Sequence, residues 1–325
     1  MTSTIHCEFP ACQQPEQSTP FPMTNDILIT AAGGFLGKYL IDELKRTLPA
    51  EPAPAVHSAG LSPFNDYVVN LAKEQFEPSR GYRTVFHLLG GCHEGDLAAL
   101  NVACTRNLLA SLETNPPQNL VYVSSTEVYG AEEGVEINEN REPEPVSQAG
   151  KTKLEAETLL REWCAAHNVR LTILRSPDIV GTGMKGPLRR LVNSIYRGNY
   201  HHIDDETARL SVVHATDVAR AMVMLQDTGG IYNITDGVNP TRHDLAEAFA
   251  KRLNNKRIYT LRAKRARTFA RVCDFIPLLG YGRKALAERY RTLTFDDSRL
   301  RRTTGMTPAS VVDYLTTHNY DENSL

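Results

Sequence analysis

The chain has no Cys-x-x-Cys pair, no long apolar run and no excess of basic charge, and each absence removes a class of function. Its six cysteines (Cys7, Cys12, Cys92, Cys104, Cys164 and Cys273) are scattered. A zinc site or redox dithiol is therefore not expected, no metal site is read from the sequence, and a reducing, cytoplasmic setting is the expectation. No stretch approaches the roughly 20 apolar residues needed to cross a bilayer. The formal net charge of −2 gives no electrostatic reason to expect nucleic acid. Residues 1–22 are polar and proline-bearing, without the basic start or apolar centre of a signal peptide, so residues 1–24 read as a loose extension. Internal repeats and low-complexity tracts are also missing.

What remains is an ordinary globular composition, 41% apolar over 325 residues. That length exceeds the usual single core and predicts one large α/β domain with an appended lobe. Asp26 to Thr30 is a short apolar run that ends in a glycine-bearing turn. Phe35 to Leu44 then switches to helical spacing, with Leu36, Leu40, Ile41 and Leu44 on one face. Residues 49–63 hold four prolines around Val56, the centre of a weak second strand. Thr84 to Leu89 reads as a buried strand, residues 97–112 as a helix, Asn119 to Ser124 as a strand, Lys151 to His167 as a long helix and Leu171 to Arg175 as a further strand. Such alternation implies a parallel sheet with right-handed crossovers.

Beyond residue 176 the texture changes. Glycines and basic residues run to about residue 205, Leu210 to His214 suggests a strand returning to the core, and Asp217 to Leu225 suggests a helix. The expected division is a nucleotide-binding domain over residues 25–176, to which 209–236 return, and a lobe over 177–208 and 237–325. Residues 260–291 place many Lys and Arg between Phe269, Val272, Phe275, Ile276, Leu278 and Leu279. The plain reading is a solvated pair of lobe helices. The sharper one is a patch resting on a membrane surface or an anionic partner.

The turn after the first strand reads Ala31-Ala32-Gly33-Gly34-Phe35-Leu36-Gly37. Small residues there let backbone N–H groups and a helix N-terminus approach a pyrophosphate. Ala31 stands at the first of three glycine positions; where that backbone needs positive φ, its methyl group costs on the order of 1 kcal/mol. The acidic residue that would hold the ribose of NAD, or the arginine that would favour NADP, is missing from Val56-His57-Ser58-Ala59-Gly60. Ser58 or a backbone group is left for that task, and NAD cannot be chosen over NADP.

Two further segments carry the chemistry. Val121-Tyr122-Val123-Ser124-Ser125-Thr126-Glu127-Val128-Tyr129-Gly130 is followed by Ala149-Gly150-Lys151-Thr152-Lys153-Leu154-Glu155-Ala156-Glu157. They resemble the Ser and Tyr-x-x-x-Lys segments of the extended short-chain dehydrogenase/reductases, the NAD-dependent epimerase/dehydratase family. Val85 to Gly90, Asn101 to Leu109, Val213 to Ala219 and Ile231 to Ile234 resemble its other landmarks, so the resemblance runs from about residue 26 to 308. It implies a Rossmann-like doubly wound parallel sheet with a smaller C-terminal substrate-binding lobe. The cofactor is then NAD or NADP, bound by Ala31, Gly34, Phe35, Leu36, Gly37, Leu88, Leu89, Gly90 and Lys153. His87 is expected to be a core histidine. A homodimer formed through the helix at 151–167 is implied by resemblance alone.

In that family the tyrosine moves the proton, the serine holds the same oxygen, and the lysine holds the nicotinamide ribose. Here Ser125 and Lys153 match, and Ala149 stands where the tyrosine belongs. An alanine cannot move a proton, so Lys153 itself or His93 is the conceivable substitute. Tyr129 is a poor one, because the family keeps a tyrosine there besides the catalytic one. Asp178, with Thr126, is the candidate substrate contact. A carboxylate at a segment where sugar-nucleotide enzymes face a diphosphate disfavours a nucleotide sugar, unless Asp178 pairs with Arg175 or Arg189. Three readings follow: an oxidoreductase or dehydratase with a replaced proton donor and a small substrate, a catalytically silent dinucleotide-binding protein or partner subunit, and a non-redox lyase or cyclase reusing the pocket.

Overall fold

The computed structural model describes residues 26–48, 56–60, 66–91, 95–273 and 282–317. The expected N-terminal extension, His93 and residues 274–281 of the basic segment lie outside them. The first half runs β1 (Ile27–Thr30), α1 (Phe35–Thr47), β2 (Val56–Gly60), β3 (Tyr67–Val68), β4 (Thr84–His87), α2 (Cys104–Ser111), β5 (Asn119–Ser125), β6 (Gly134–Ile137), α3 (Gln148–Ala166) and β7 (Arg170–Ser176). Next come β8 (Asp178–Val180), α4 (Gly186–Tyr196), β9 (His201–Ile203), β10 (Val212–His214), α5 (Ala215–Met224) and β11 (Gly230–Asn233). The chain ends with α6 (Arg242–Arg252), β12 (Tyr259–Leu261), α7 (Ala263–Cys273), α8 (Arg283–Glu288), β13 (Leu293–Phe295), α9 (Ser298–Thr304) and α10 (Val311–Thr317).

Seven strands form the central sheet in the order β11-β7-β5-β4-β1-β2-β3, and the pairings are parallel. A parallel sheet is covered on both faces, and the alternation of each strand divides its residues between two cores. Ile29, Phe86, Val121 and Leu174 face Leu40 and Leu44 of α1 and Val218 and Met222 of α5. Leu28, Val85, Leu120 and Ile173 face Leu108 and Leu112 of α2 and its end, and Ala156 and Leu160 of α3. A third core forms where Leu188 and Val192 of α4 meet Leu245 and Phe249 of α6 and Val311 and Leu315 of α10. Among the described residues no helix is long and apolar enough to cross a membrane.

Two expected elements are refined. The helix expected over 97–112 is π-wound over Ala98–Ala103 before it becomes α2. The strand expected to return to the core at Leu210 to His214 is β10, which places Val213 in the sheet's core and pairs with β8, while β11 rejoins the central sheet beside β7.

A buried ion pair joins the sheet to α3. Arg175 on β7 donates from Nε to Glu157 Oε1 at 3.1 Å and from Nη2 to Oε2 at 2.7 Å, and both residues are buried. Burial works against the Arg175 charge, but the hydrogen bonds and charge of Glu157 outweigh it and raise its pKa. Breaking such a pair leaves a charge without compensation. Glu157→Leu is therefore expected to lower unfolding stability in urea by about 3–5 kcal/mol, and adding Arg175→Met should recover most of it. A double variant as unstable as the single one would contradict that account.

Candidate active site

The turn after β1 has the shape of an anion cradle. Ala31 adopts φ +54°, the left-handed conformation that the sequence made costly, and its carbonyl accepts from Gly34 N at 2.8 Å. A Cβ on Gly37 would lie 2.4 Å from Ala32 O and 2.5 Å from Ala31 O, so only glycine lets α1 start this close to the turn. Gly34 precedes α1, and no side chain caps that helix end. The first-turn amides thus face the turn with the positive end of the helix dipole behind them, which fits a pyrophosphate. Phe35 and Leu36 anchor this turn, Phe35 edge-on to Tyr39 at 5.8 Å and Leu36 against the sheet core.

A buried chain of hydrogen bonds ties this turn to the end of β4. Leu88 N and Leu89 N donate to Thr30 Oγ1 at 2.9 and 3.1 Å. With its lone pairs so used, Thr30 donates its own proton to His87 Nδ1 at 3.0 Å. His87 Nε2 then carries the ring proton toward Thr105 Oγ1 at 2.9 Å, and Thr105 donates to Asn101 O at 2.6 Å. His87 is a core histidine, as expected. Burial, helped by the charge of Lys153, lowers its pKa to about 3.

Lys153 lies on α3 with its side chain buried. Its Nζ donates to Val123 O on β5 at 3.0 Å and sits 4.8 Å from the centre of the Tyr122 ring. A Cβ on Gly90 would be 2.6 Å from that nitrogen and 2.7 Å from Asn101 Oδ1, so Gly90 admits both groups. Asn101 clasps the chain after β4, accepting from Gly91 N at 2.9 Å and donating to Gly91 O at 2.8 Å. It also donates to Thr152 Oγ1 at 2.9 Å. Asn101 and Thr152 are site residues that sequence reasoning missed; the signal was present, since Asn101 opens a quoted family segment, but it read only as a helix marker. Asn101 lies within the π-wound turn, a feature frequent at functional sites.

Ser125 ends β5, and its Oγ accepts from Glu127 N at 3.2 Å. That bond uses a lone pair and leaves the hydroxyl proton to donate to a ligand oxygen. Thr126 is buried at the start of the short 3₁₀ turn Thr126–Tyr129. α3 starts against this turn: Ser147 caps it by accepting from Gly150 N at 3.0 Å and donates to Glu127 Oε2. A Cβ on Gly150 would fall 2.4 Å from Glu127 O. Ala149 therefore sits beside the turn that carries Thr126, one helical turn before Lys153, and is only 4% exposed. Tyr129 is buried structure, donating to Asn233 Oδ1 at 2.7 Å beneath Arg175, and burial raises its pKa.

Asp178 joins the same edge from the other side. Ser125 pairs with Ser176 in the β5–β7 register, so Asp178 follows two residues past the strand position beside Ser125. Arg175 is committed to Glu157. The turn after β1, Gly90 after β4, Ser125 on β5 and Asp178 after β7 thus line one carboxyl edge of a parallel sheet, where doubly wound folds bind ligands.

Comparison with known proteins agrees with this architecture. The model of the NAD dependent epimerase/dehydratase family matches residues 27–235. The chain belongs to that family. One relative, the N-acetyl-α-D-glucosaminyl-diphospho-ditrans,octacis-undecaprenol 4-epimerase of Escherichia coli, is 26% identical over 265 residues, which cover 72% of this chain and 74% of the relative. The GDP-6-deoxy-D-mannose reductase of Pseudomonas aeruginosa is 25% identical over 253 residues, 70% of this chain and 80% of the relative. Among solved structures, RMD from Pseudomonas aeruginosa complexed with NADPH superposes with a TM-score of 0.67 at 21% identity, over 93% of this chain and 97% of that one.

Two outcomes follow from this geometry. Ala31→Gly should raise unfolding stability by about 1 kcal/mol, whereas Gly37→Ala, meeting two carbonyls, should lower it by about 3 kcal/mol; urea unfolding measures both, and equal stabilities would refute the strained turn. His87 gives a pH dependence whose sign is fixed by its depressed folded pKa. Its contribution is complete above pH 6.5 and is lost as pH falls toward 3, because the unfolded histidine takes up a proton that the folded one refuses. Between pH 7 and pH 5 the native chain should lose about 2 kcal/mol more stability than His87→Gln. Parallel pH profiles would show that His87 titrates normally.

Proposed function

We propose that the chain is an NAD(P)-dependent oxidoreductase or dehydratase acting on a hydroxyl or carbonyl carbon of a small compound other than a nucleotide sugar, with a proton donor that is not a tyrosine. The observation that carries this reading is the buried Lys153, held on Val123 and packed against Gly90. A scaffold alone has no need of a buried amino group at the end of β4, while a site for a nicotinamide ribose does. When bound, the nicotinamide supplies or takes a hydride; the protein's residues do the rest. Ala31, Gly34 and Gly37 with the start of α1 hold the pyrophosphate, and Leu88, Leu89 and Gly90 border the cofactor. Ser125 donates its hydroxyl proton to the substrate oxygen and orients it. NAD and NADP both remain open, because β2 carries neither an acid nor an arginine for the ribose.

No side chain at position 149 can take the proton, so it passes through another group: Lys153 or His93, which follows Gly90 by three residues. Asp178, two residues past the strand position beside Ser125, is the candidate substrate contact. The names of the two relatives, a reductase and an epimerase, support redox chemistry at a hydroxyl or carbonyl carbon. A second reading, a silent dinucleotide-binding protein, is favoured by one pair of observations: the methyl group at the strained position of Ala31 and the missing ring at Ala149.

The test is consumption of NADH or NADPH, followed by absorbance, with a panel of small aldehydes, ketones and keto sugars lacking a nucleotide. Turnover of a panel member is expected, with Ser125→Ala lowering it by about 10²-fold, the usual loss for a donor to a developing oxyanion. Ala149→Tyr should lower native turnover by crowding the site. No turnover by the native chain and a gain by Ala149→Tyr would instead establish the silent reading.

A further inference from the structure

Helix α7 has its large apolar side chains on the wrong side for a helix that only closes a lobe. The face packed against the protein is alanine: Ala263, Ala266 and Ala270 are buried, the first two against Ile203, Leu261, Leu286 and Tyr290. Phe269 and Val272 point outward and are each 55% exposed. They stand three residues apart, which makes them neighbours on one helix face. Lys264, Arg265 and Arg271 are exposed on the same outer surface. The helix carries four basic residues and no acid, in a chain whose net charge is −2.

The helix is held in place, so this arrangement is not that of a frayed end. Ala263 N donates to Asp204 Oδ1 at 2.8 Å, and Arg267 is tied to Asp205 at 2.6 Å. Lys264, Arg265 and Arg271 surround the two apolar side chains on the solvent side. An apolar pair within a basic rim is the pattern of helices that lie in the plane of a bilayer surface, with rings among the acyl chains and cations among the headgroups.

We propose that the outer face of α7 docks the protein on an anionic lipid bilayer. The partner is chosen by charge: Lys264, Arg265 and Arg271, left over once Arg267 is paired with Asp205, complement anionic headgroups, and a Phe–Val pair complements the acyl boundary just beneath them. Two apolar residues and three exposed cations make a weak, reversible contact, each cation contributing about fivefold to partitioning. Such docking also requires that binding weaken with salt. The inference stands apart from the redox reading, because docking is measured without cofactor or turnover, and a chain that docks but turns nothing over would leave it intact.

The experiment is sedimentation of the purified full chain with vesicles of phosphatidylcholine alone and of phosphatidylcholine mixed with phosphatidylglycerol. The protein is expected to sediment with the anionic vesicles, to stay in solution with the neutral ones, and to be released by added salt. Phe269→Ser with Val272→Ser, and separately Arg265→Gln with Arg271→Gln, should each lower partitioning by at least about tenfold. All four positions are exposed, so unchanged thermal unfolding of both variants is the folding control. Absence of binding to the anionic vesicles, equal binding to both vesicle types, or binding unmoved by either pair of substitutions would overturn the proposal.

Discussion

The close approach of Lys153 to the end of β4 is the contact on which the rest of the edge depends. Its amino group reaches the Val123 carbonyl beside Gly90, where an added Cβ would crowd it. That contact sets the position of α3 against the sheet. Once α3 is placed, Thr152 meets Asn101, Ala149 falls beside the turn that follows Ser125, and Ser147 closes the helix start onto Glu127. The candidate chemistry is thus held together by packing at the sheet edge.

The same economy governs the buried polar groups. A group taken out of water must find partners or give up its charge. His87 gives up its charge and serves as a relay between two threonines. Arg175 keeps its charge because Glu157 offers two hydrogen bonds. Asn233 keeps its amide by joining three pieces: it accepts from Tyr129 and donates to Ile137 O on β6 and to Asp296 O just after β13. The small β6–β13 pair is thereby fastened to the edge strand β11.

Much of this was legible in the sequence, for identifiable reasons. β1, β4 and β5 are short apolar runs buried on both faces, and α1 and α3 bury one face at helical spacing, so these patterns give them away. The strain at Ala31 was foreseeable because its place in the turn, not its side chain, dictates a positive φ. His87 as a core histidine was foreseeable from the resemblance of Val85 to Gly90 to the family's fourth strand. The pairing of β10 with β8 was not legible, since Val213 is equally apolar whichever strand it meets. Asn101 was missed because its π-wound backbone leaves no mark in a period-3.6 pattern. The outward placement of Phe269 and Val272 was open between two readings, since spacing alone cannot say which face of a basic helix the protein covers.

The central claim is that this sheet edge, with an alanine at the head of its glycine turn, still holds a nicotinamide dinucleotide. Calorimetric titration of the purified, nucleotide-free protein with NAD⁺, NADH, NADP⁺ and NADPH in turn tests it most directly. The account predicts micromolar binding of one pair, the oxidised and reduced forms of a single dinucleotide, with one site per chain. Absence of heat with all four would contradict it and leave the cradle after β1 as a structural turn.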